Sequence, residues 1–350
     1  MTQQLSTNGS SRILLHIAAA VIILAGLKAA QGIIIPTLVA LFIAIVCAPP
    51  VYYMNRRGIR GSLAVSLMIL AIILFFGLIV MIVGSSIDDF TSELPRYQAR
   101  VQTMTQAAIE KLKGWGVPIK NGNLLDHVDP SVAMGFIGTL LGSLGTILSN
   151  LFLILLLVIF ILFESFQLPL KFRHAVKSKT AEQTFEHFGE FATSLNRYLG
   201  IKTIISLVTG AVVAFALWLL NVDFPLLWGL LAFLFNFIPT IGSILAAVPV
   251  ILLALVQLGW QSAVWVMLVY ATVNVVMGNG IEPKVMGKGV GLSTLMVFIS
   301  LIFWGWVFGP VGMLLSVPLT MSVKIALQVN PDTRWIAKLL GPPVSNSTKS

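Results

Sequence analysis

Apolar residues in this chain run in long unbroken blocks, not in alternation. The stretch LFLILLLVIFILF at 151–163 holds no polar side chain, and similar blocks cover 13–30, 33–53, 63–84, 146–166, 203–221 and 262–280. A helix needs ~20 residues to cross the ~30 Å of hydrocarbon in a bilayer. A membrane β-barrel would instead show ten-residue segments alternating with period two. The pattern predicts an all-α polytopic membrane protein with about seven to eight transmembrane helices.

Breaks in the pattern divide the chain. A polar tail at 1–12 precedes transmembrane helices one to three at 13–84. An extramembrane amphipathic helical segment follows at 85–143, then a fourth helix at 144–166 and a basic loop at 167–202. A C-terminal transmembrane transport core spans 203–325, with a tail at 326–350. Only Gln31-Gly32 separates the first two blocks, which predicts a tight antiparallel hairpin. Within 85–143 the apolar positions Ile87, Phe90, Leu94, Tyr97, Val101, Met104, Ala108 and Leu112 follow a heptad. Such a face packs either on the chain's own neighbours or as a seam between protomers. Pro95 predicts a kink, GWGVP at 114–118 an end, and Asp129-Pro130 the start of another helix.

Two segments break the simple rule. Residues 226–258 and 292–325 each exceed the length of one perpendicular crossing, and each has helix breakers in its middle. These are Pro239 and Gly242 in the first, and Gly305, Gly309, Pro310 and Gly312 in the second. A broken helix and a re-entrant hairpin both fit.

Composition sharpens the class. Only 10% of residues are charged, against about 25% in soluble domains. The net charge of +9 would raise nucleic acid as a partner for a soluble protein. Here the cations flank the apolar blocks, at Arg56, Arg57 and Arg60 and across 171–179. That distribution places both segments in the cytoplasm and implies lipid, not nucleic acid, as the neighbour. The first block lacks a small-residue cleavage motif and reads as a retained span. The single cysteine, Cys47, excludes a disulfide framework within one chain.

Candidate chemistry concentrates in two patches. NFIPTIGS places Asn236, Pro239, Thr240, Gly242 and Ser243 at membrane depth, where freed backbone groups must meet protein or a water-filled cavity. GNGIEPKVMGKGVGLST at 278–294 adds Asn279, Glu282, Pro283, Lys284 and Gly287, and Asn274 lies just before it. Gly287, Gly289 and Gly291 do not match a phosphate-binding loop. The second patch reads either as an interfacial loop with snorkelling lysines or as a substrate-facing gate. An intramembrane enzyme finds no support: the four histidines are scattered among tails and loops, and no metalloprotease or nucleophile-elbow motif occurs. No cofactor or metal is expected. A purely structural protein would need no polar patch at depth. Lys28, Glu164, Asp223, Glu282 and Lys284 all fall near span ends, which argues against a mid-membrane proton relay.

NFIPTIGSILAAVP at 236–249, GNGIEPKVMGKGVGLSTL at 278–295 and SLIFWGWVFGPVGMLLSVPLT at 300–320 resemble the autoinducer-2 exporter (AI-2E) family of bacterial inner-membrane proteins. Looser similarity extends over the whole chain. The resemblance implies export of autoinducer-2, a small uncharged polyhydroxylated signal used in quorum sensing. Other members of the family are described as Na+(Li+)/H+ antiporters, which is the alternative function. It also implies a homo-oligomer, with a pentamer as the first subunit number expected. No site residues carry over one by one, so the candidates are those of the two patches above.

Overall fold

The computed structural model describes residues 9–115, 135, 138, 142, 149–175, 179–239, 241–286, 291–329 and 332–342. The expected helix start at Asp129-Pro130 lies outside these. The described residues form helices and short connections, with no strand among them.

Helix α1 (Gly9–Ala29) and α2 (Gln31–Arg56) meet at Ala30. The expected hairpin is not formed there. Ala30 has φ −88° and ψ 9°, close to helical values. Its amide donates to Gly26 O, and its carbonyl accepts from Ile33 and Ile34. One such residue bends a helix but cannot reverse it. The partner of α1 is elsewhere: Leu24 and Leu27 pack with Val307 and Phe308, and the Lys28 ammonium sits 4.3 Å from the Trp306 ring centre.

Helix α3 (Gly61–Gly114) is continuous for 54 residues, about 80 Å at 1.5 Å per residue. It keeps helical structure through Pro95 and ends at Gly114, where GWGVP begins. With α2 and α4 (Leu151–Ala175) it buries Ala44, Val51, Val65, Ile72, Val158 and Leu162 in one apolar cluster. The first five positions of the heptad face, Ile87 to Val101, find their partner inside the chain. Phe90 and Tyr97 are buried, with Ile87, Leu94 and Val101 against them, in a cluster formed with the helices described next.

Helix α5 (Lys179–Leu219) begins well inside the segment expected as a loop, and α4 reaches Ala175. That segment is rich in helix-compatible Lys, Glu, Gln and Ala, and charge alone does not stop a helix. After α5 the turn 220–224 leads to α6 (Pro225–Phe235), then a short break, then α7 (Gly242–Leu258). Helix α6 runs antiparallel to α5. Their backbones touch where a Cβ on Gly210 would stand 2.6 Å from Gly229 O, and Asn236 Nδ2 donates to Ser206 Oγ at 2.8 Å. Helix α7 then returns to the starting end. The Gln257 amide donates to Asn221 O at 3.1 Å, and its carbonyl accepts from Asp223 N at 3.0 Å. Residues 221–258 are therefore a re-entrant hairpin.

Gly259, at φ 94°, reverses the chain in a single left-handed residue. Helix α8 (Trp260–Val273) then packs along α7 and continues as a π-helical segment (Asn274–Ile281) and α9 (Glu282–Met286). Together these make one crossing of 27 residues antiparallel to α5.

The second long segment also doubles back. Helices α10 (Thr294–Leu314) and α11 (Ser316–Val329) flank the turn, and α12 (Arg334–Leu339) follows. Within α10, Gly309 has φ 65° and ψ −148°, a conformation that favours glycine. A Cβ on Gly312 would lie 1.9 Å from Trp304 O, and Trp304 Nε1 donates to Thr320 Oγ1 at 2.9 Å. At the open end Lys324 Nζ donates to Gly291 O. Length and composition alone would give Thr294–Leu314 as a crossing; Gly309 makes it the first arm of a hairpin.

The hairpins enter from opposite ends of α5. The first has its base beside Asn221 and Asp223, while Gly291, Met286 and Lys324 at the base of the second gather around Arg197 and Tyr198. Single cysteines at Leu226 and Leu258, on a Cys47→Ser background, are expected to react with an impermeant maleimide from one face. Cysteines at Leu295 and Val323 should both react from the other. Labelling of Leu226 and Leu258 from opposite faces would overturn this topology.

Candidate functional site

The inward stripe of α5 sets the site. Tyr198, Lys202, Ser206, Thr209, Val213 and Leu217 recur every three or four residues, so they share one helix face. Against this stripe lie the tip of the first hairpin and the middle of the opposite crossing.

The tip is NFIPTIGS. Helix α6 is 11 residues long, so it reaches about 16 Å into a hydrocarbon layer of about 30 Å. Beyond Phe235 the helix gives way to tight turns. Ile238 N donates to Phe235 O at 2.8 Å, and Gly242 N donates to Ile238 O at 3.3 Å. Pro239 sits in this turn, where its missing N–H interrupts no helical bond. Gly242 starts α7 in contact with the end of α6: a Cβ there would stand 1.8 Å from Phe235 O. Only glycine permits so close a return.

Between tip, stripe and crossing lies a cavity of about 20 Å³. Its polar lining comes from Thr209, Asn236, Ser243, Tyr270 and Asn274. Thr209 and Tyr270 are 7% and 6% exposed, and Thr209 Oγ1 and Tyr270 OH have no hydrogen-bond partner among the described residues. A buried polar group without a partner costs about 1–3 kcal/mol, and two such groups stand beside this cavity. Among the described residues no charged side chain lines the cavity. Its volume is room for about one water.

Asn274 opens the π-helical segment. There, a Cβ added to Gly278 would lie 3.3 Å from Asn274 Oδ1. Isolated π-turns within α-helices often mark functional sites. At its end Glu282 leaves the cavity and pairs with Lys202, Nζ to Oε1 2.6 Å, with the two side chains 4% and 22% exposed. This ion pair ties α5 to α9 about one turn from Ser206.

Of the residues singled out from sequence, Asn236, Ser243 and Asn274 meet at the cavity, and Pro239 and Gly242 shape the turn beside it. Asn279, Pro283 and Lys284 are exposed on the chain's outer surface, and Glu282 belongs to the ion pair. Thr240 and Gly287 lie outside the described residues. Lys202, Ser206, Thr209 and Tyr270 were not singled out. The polar stripe along an otherwise apolar α5 is the signal that finds the first three.

At the far end Asp223 closes the base of the hairpin. It accepts from Tyr97 OH at 2.7 Å through Oδ2, and its carbonyl accepts from Trp228 Nε1 at 3.0 Å. The turn holds Asn221 and Phe224 at φ 55° and 59°. For a bulky side chain such as Phe224 that is a strained state, held by its surroundings.

The profile described as AI-2E family transporter matches residues 17–332. The chain belongs to this family. Among AI-2E relatives, the AI-2 transport protein TqsA of Escherichia coli K12 is 42% identical over 340 residues, covering 97% of this chain and 98% of that protein. A putative transport protein of Haemophilus influenzae is 41% identical, covering 94% of this chain and 96% of its own length. The putative transport protein YhhT of Escherichia coli K12 is 35% identical, with 94% of both covered. The AI-2E chain is thus a multi-pass transporter of the bacterial inner membrane, and its relatives are transporters, not enzymes.

Two outcomes test this geometry. Lys202→Met should destabilise the purified protein by about 3 kcal/mol, because it strands a mostly buried carboxylate, and Lys202→Met with Glu282→Leu should recover most of the loss in thermal unfolding. Gly242→Ala should prevent the hairpin from closing and abolish transport, while the exposed Ile244→Ala leaves transport near wild type.

Proposed function

We propose that this transporter carries a small, uncharged, polar molecule through the cavity between α5, the first hairpin tip and α8, and that the molecule is autoinducer-2 moving outward. The observation that carries the reading is the chemistry of the lining: hydroxyls and amides from five side chains, with no charge among them. A polyhydroxylated neutral cargo needs hydrogen-bond partners in place of water, each worth about 1 kcal/mol net. Contacts that weak also allow release. The similarity to the E. coli AI-2 transport protein TqsA over nearly the whole chain supports the cargo. Na+(Li+)/H+ antiport, the alternative within the family, asks for a carboxylate on the path. Glu282, at the end of the π-helical segment, is paired with Lys202 instead.

A homo-oligomer, pentameric or otherwise, is part of this reading, and the heptad positions from Ile87 to Val101 are used within the chain. The outward amide of Asn279 marks a better face, since polar side chains at membrane depth join helices.

Transport into inverted or right-side-out proteoliposomes tests the proposal. Thr209→Val and Tyr270→Phe should each slow autoinducer-2 flux about fivefold, the kinetic equivalent of one hydrogen bond. Glu282→Gln with Lys202→Gln should leave a neutral flux in place with no dependence on a pH or Na+ gradient. A Na+ flux in the wild type that disappears with the carboxylate would replace this reading with the antiporter.

A further inference from the structure

A second cavity, about 550 Å³, opens at the base of the second hairpin, well away from the first. Its polar wall carries Arg197 from α5 and Lys324 from α11, joined by Tyr198 and Gln328. Its apolar wall includes Ile201 and Met321. No Asp or Glu lines it among the described residues. Lys324 is held in place by donating to Gly291 O, which spends one of its three protons and leaves the charge unmatched.

The end of the molecule matters. Helix α3 starts at Gly61 and meets Asp223 through Tyr97 far along its length, so Arg56, Arg57 and Arg60 lie at the end opposite Asp223. That is the end of Arg197 and Lys324. The arginine loop thus shares that end with Arg197 and Lys324, on the face that the charge rule makes cytoplasmic. The lipid surface on that side is anionic.

We propose that this cavity is a binding site for an anionic phospholipid of the cytoplasmic leaflet. Arg197 and Lys324 take the phosphate, Tyr198 and Gln328 donate to the headgroup oxygens, and the upper acyl chain lies against Ile201 and Met321. A neutral polar cargo has no use for two cations, and a free phosphate has no use for the apolar wall. A phospholipid matches both, and a volume of this size suits a headgroup with the start of a chain. The lipid would bridge α5 to the second hairpin.

Binding to the full-length protein in nanodiscs, read by native mass spectrometry and by lipid-dependent thermal stability, tests the site. Phosphatidylglycerol should bind about 30-fold more tightly than phosphatidylcholine, and Arg197→Gln and Lys324→Gln should each reduce that preference about fivefold. Arg197→Lys and Lys324→Arg should retain it, which separates lost charge from misfolding. Glycerol phosphate should not compete at concentrations where phosphatidylglycerol saturates. Equal retention of phosphatidylcholine, a preference untouched by the double Gln variant, or full competition by glycerol phosphate would each overturn the proposal. None of these readouts depends on cargo flux.

Discussion

A peptide group that leaves its helix inside a bilayer has no water to bond and must be met by protein. That constraint shapes both hairpins. At the first tip the chain turns through short-range bonds, and the turn is seated against α5, where Asn236 reaches Ser206. At the second, the arms close until Gly312 touches the Trp304 carbonyl. Reversal at depth thus demands backbone-to-backbone approach, and that approach demands glycine. Gly210, Gly229, Gly242 and Gly312 stand where any Cβ would collide with backbone or a Cβ within 3 Å. Small residues at helix contacts serve the same purpose throughout membrane proteins.

The arrangement also orders charge. The first hairpin hangs from the end that holds Asp223 and the acidic turns of α3, and the second from the end that holds the arginine loop, Arg197 and Lys324. Between them α5 and the α8–α9 crossing run antiparallel, pinned by Lys202 and Glu282. An ion pair so poorly exposed is weak evidence for stability as such, because desolvation offsets much of the attraction. It joins α5 to the start of α9, just beyond the π-helical segment whose first residue, Asn274, lines the same cavity as Thr209.

Helical class and the polar patch at 236–243 were legible because both depend on local quantities, the length of apolar blocks and the presence of breakers within them. The reversal was not. Pro239 and Gly242 permit a kink and a hairpin alike, and the choice is made by Gln257 meeting Asn221, thirty-six residues away. The heptad told of a buried face without naming its partner, which proved to be α6 and α7. The first two helices misled for a related reason: a short polar interruption resembles a turn, yet only a residue with the freedom of Gly259 reverses a chain alone. Lys202 was lost to a boundary drawn at its own position, since a basic segment hid the first member of the stripe that continues through Ser206 and Thr209.

The small cavity and the proposed cargo agree once the two are weighed together. A room for one water cannot hold a polyol, so on the proposed reading the cavity is the closed form of the path, and opening separates the hairpin tip or the π-helical wall from α5. Helix α6, which carries the tip, meets α5 backbone against backbone at Gly210 and Gly229 and cannot part without losing a close-packed surface. The π-helical wall carries two glycines, Gly278 and Gly280, whose nearest neighbours, Asn274 Oδ1 and Val275 O, belong to its own helix and not to α5. Hydroxyls of Thr209 and Tyr270 that lack a protein partner in the closed state then gain one from the cargo, which ties the energetic benefit of opening to the presence of a polar guest. On the proposed reading, the same two groups that make the closed cavity slightly unfavourable are what make the site selective.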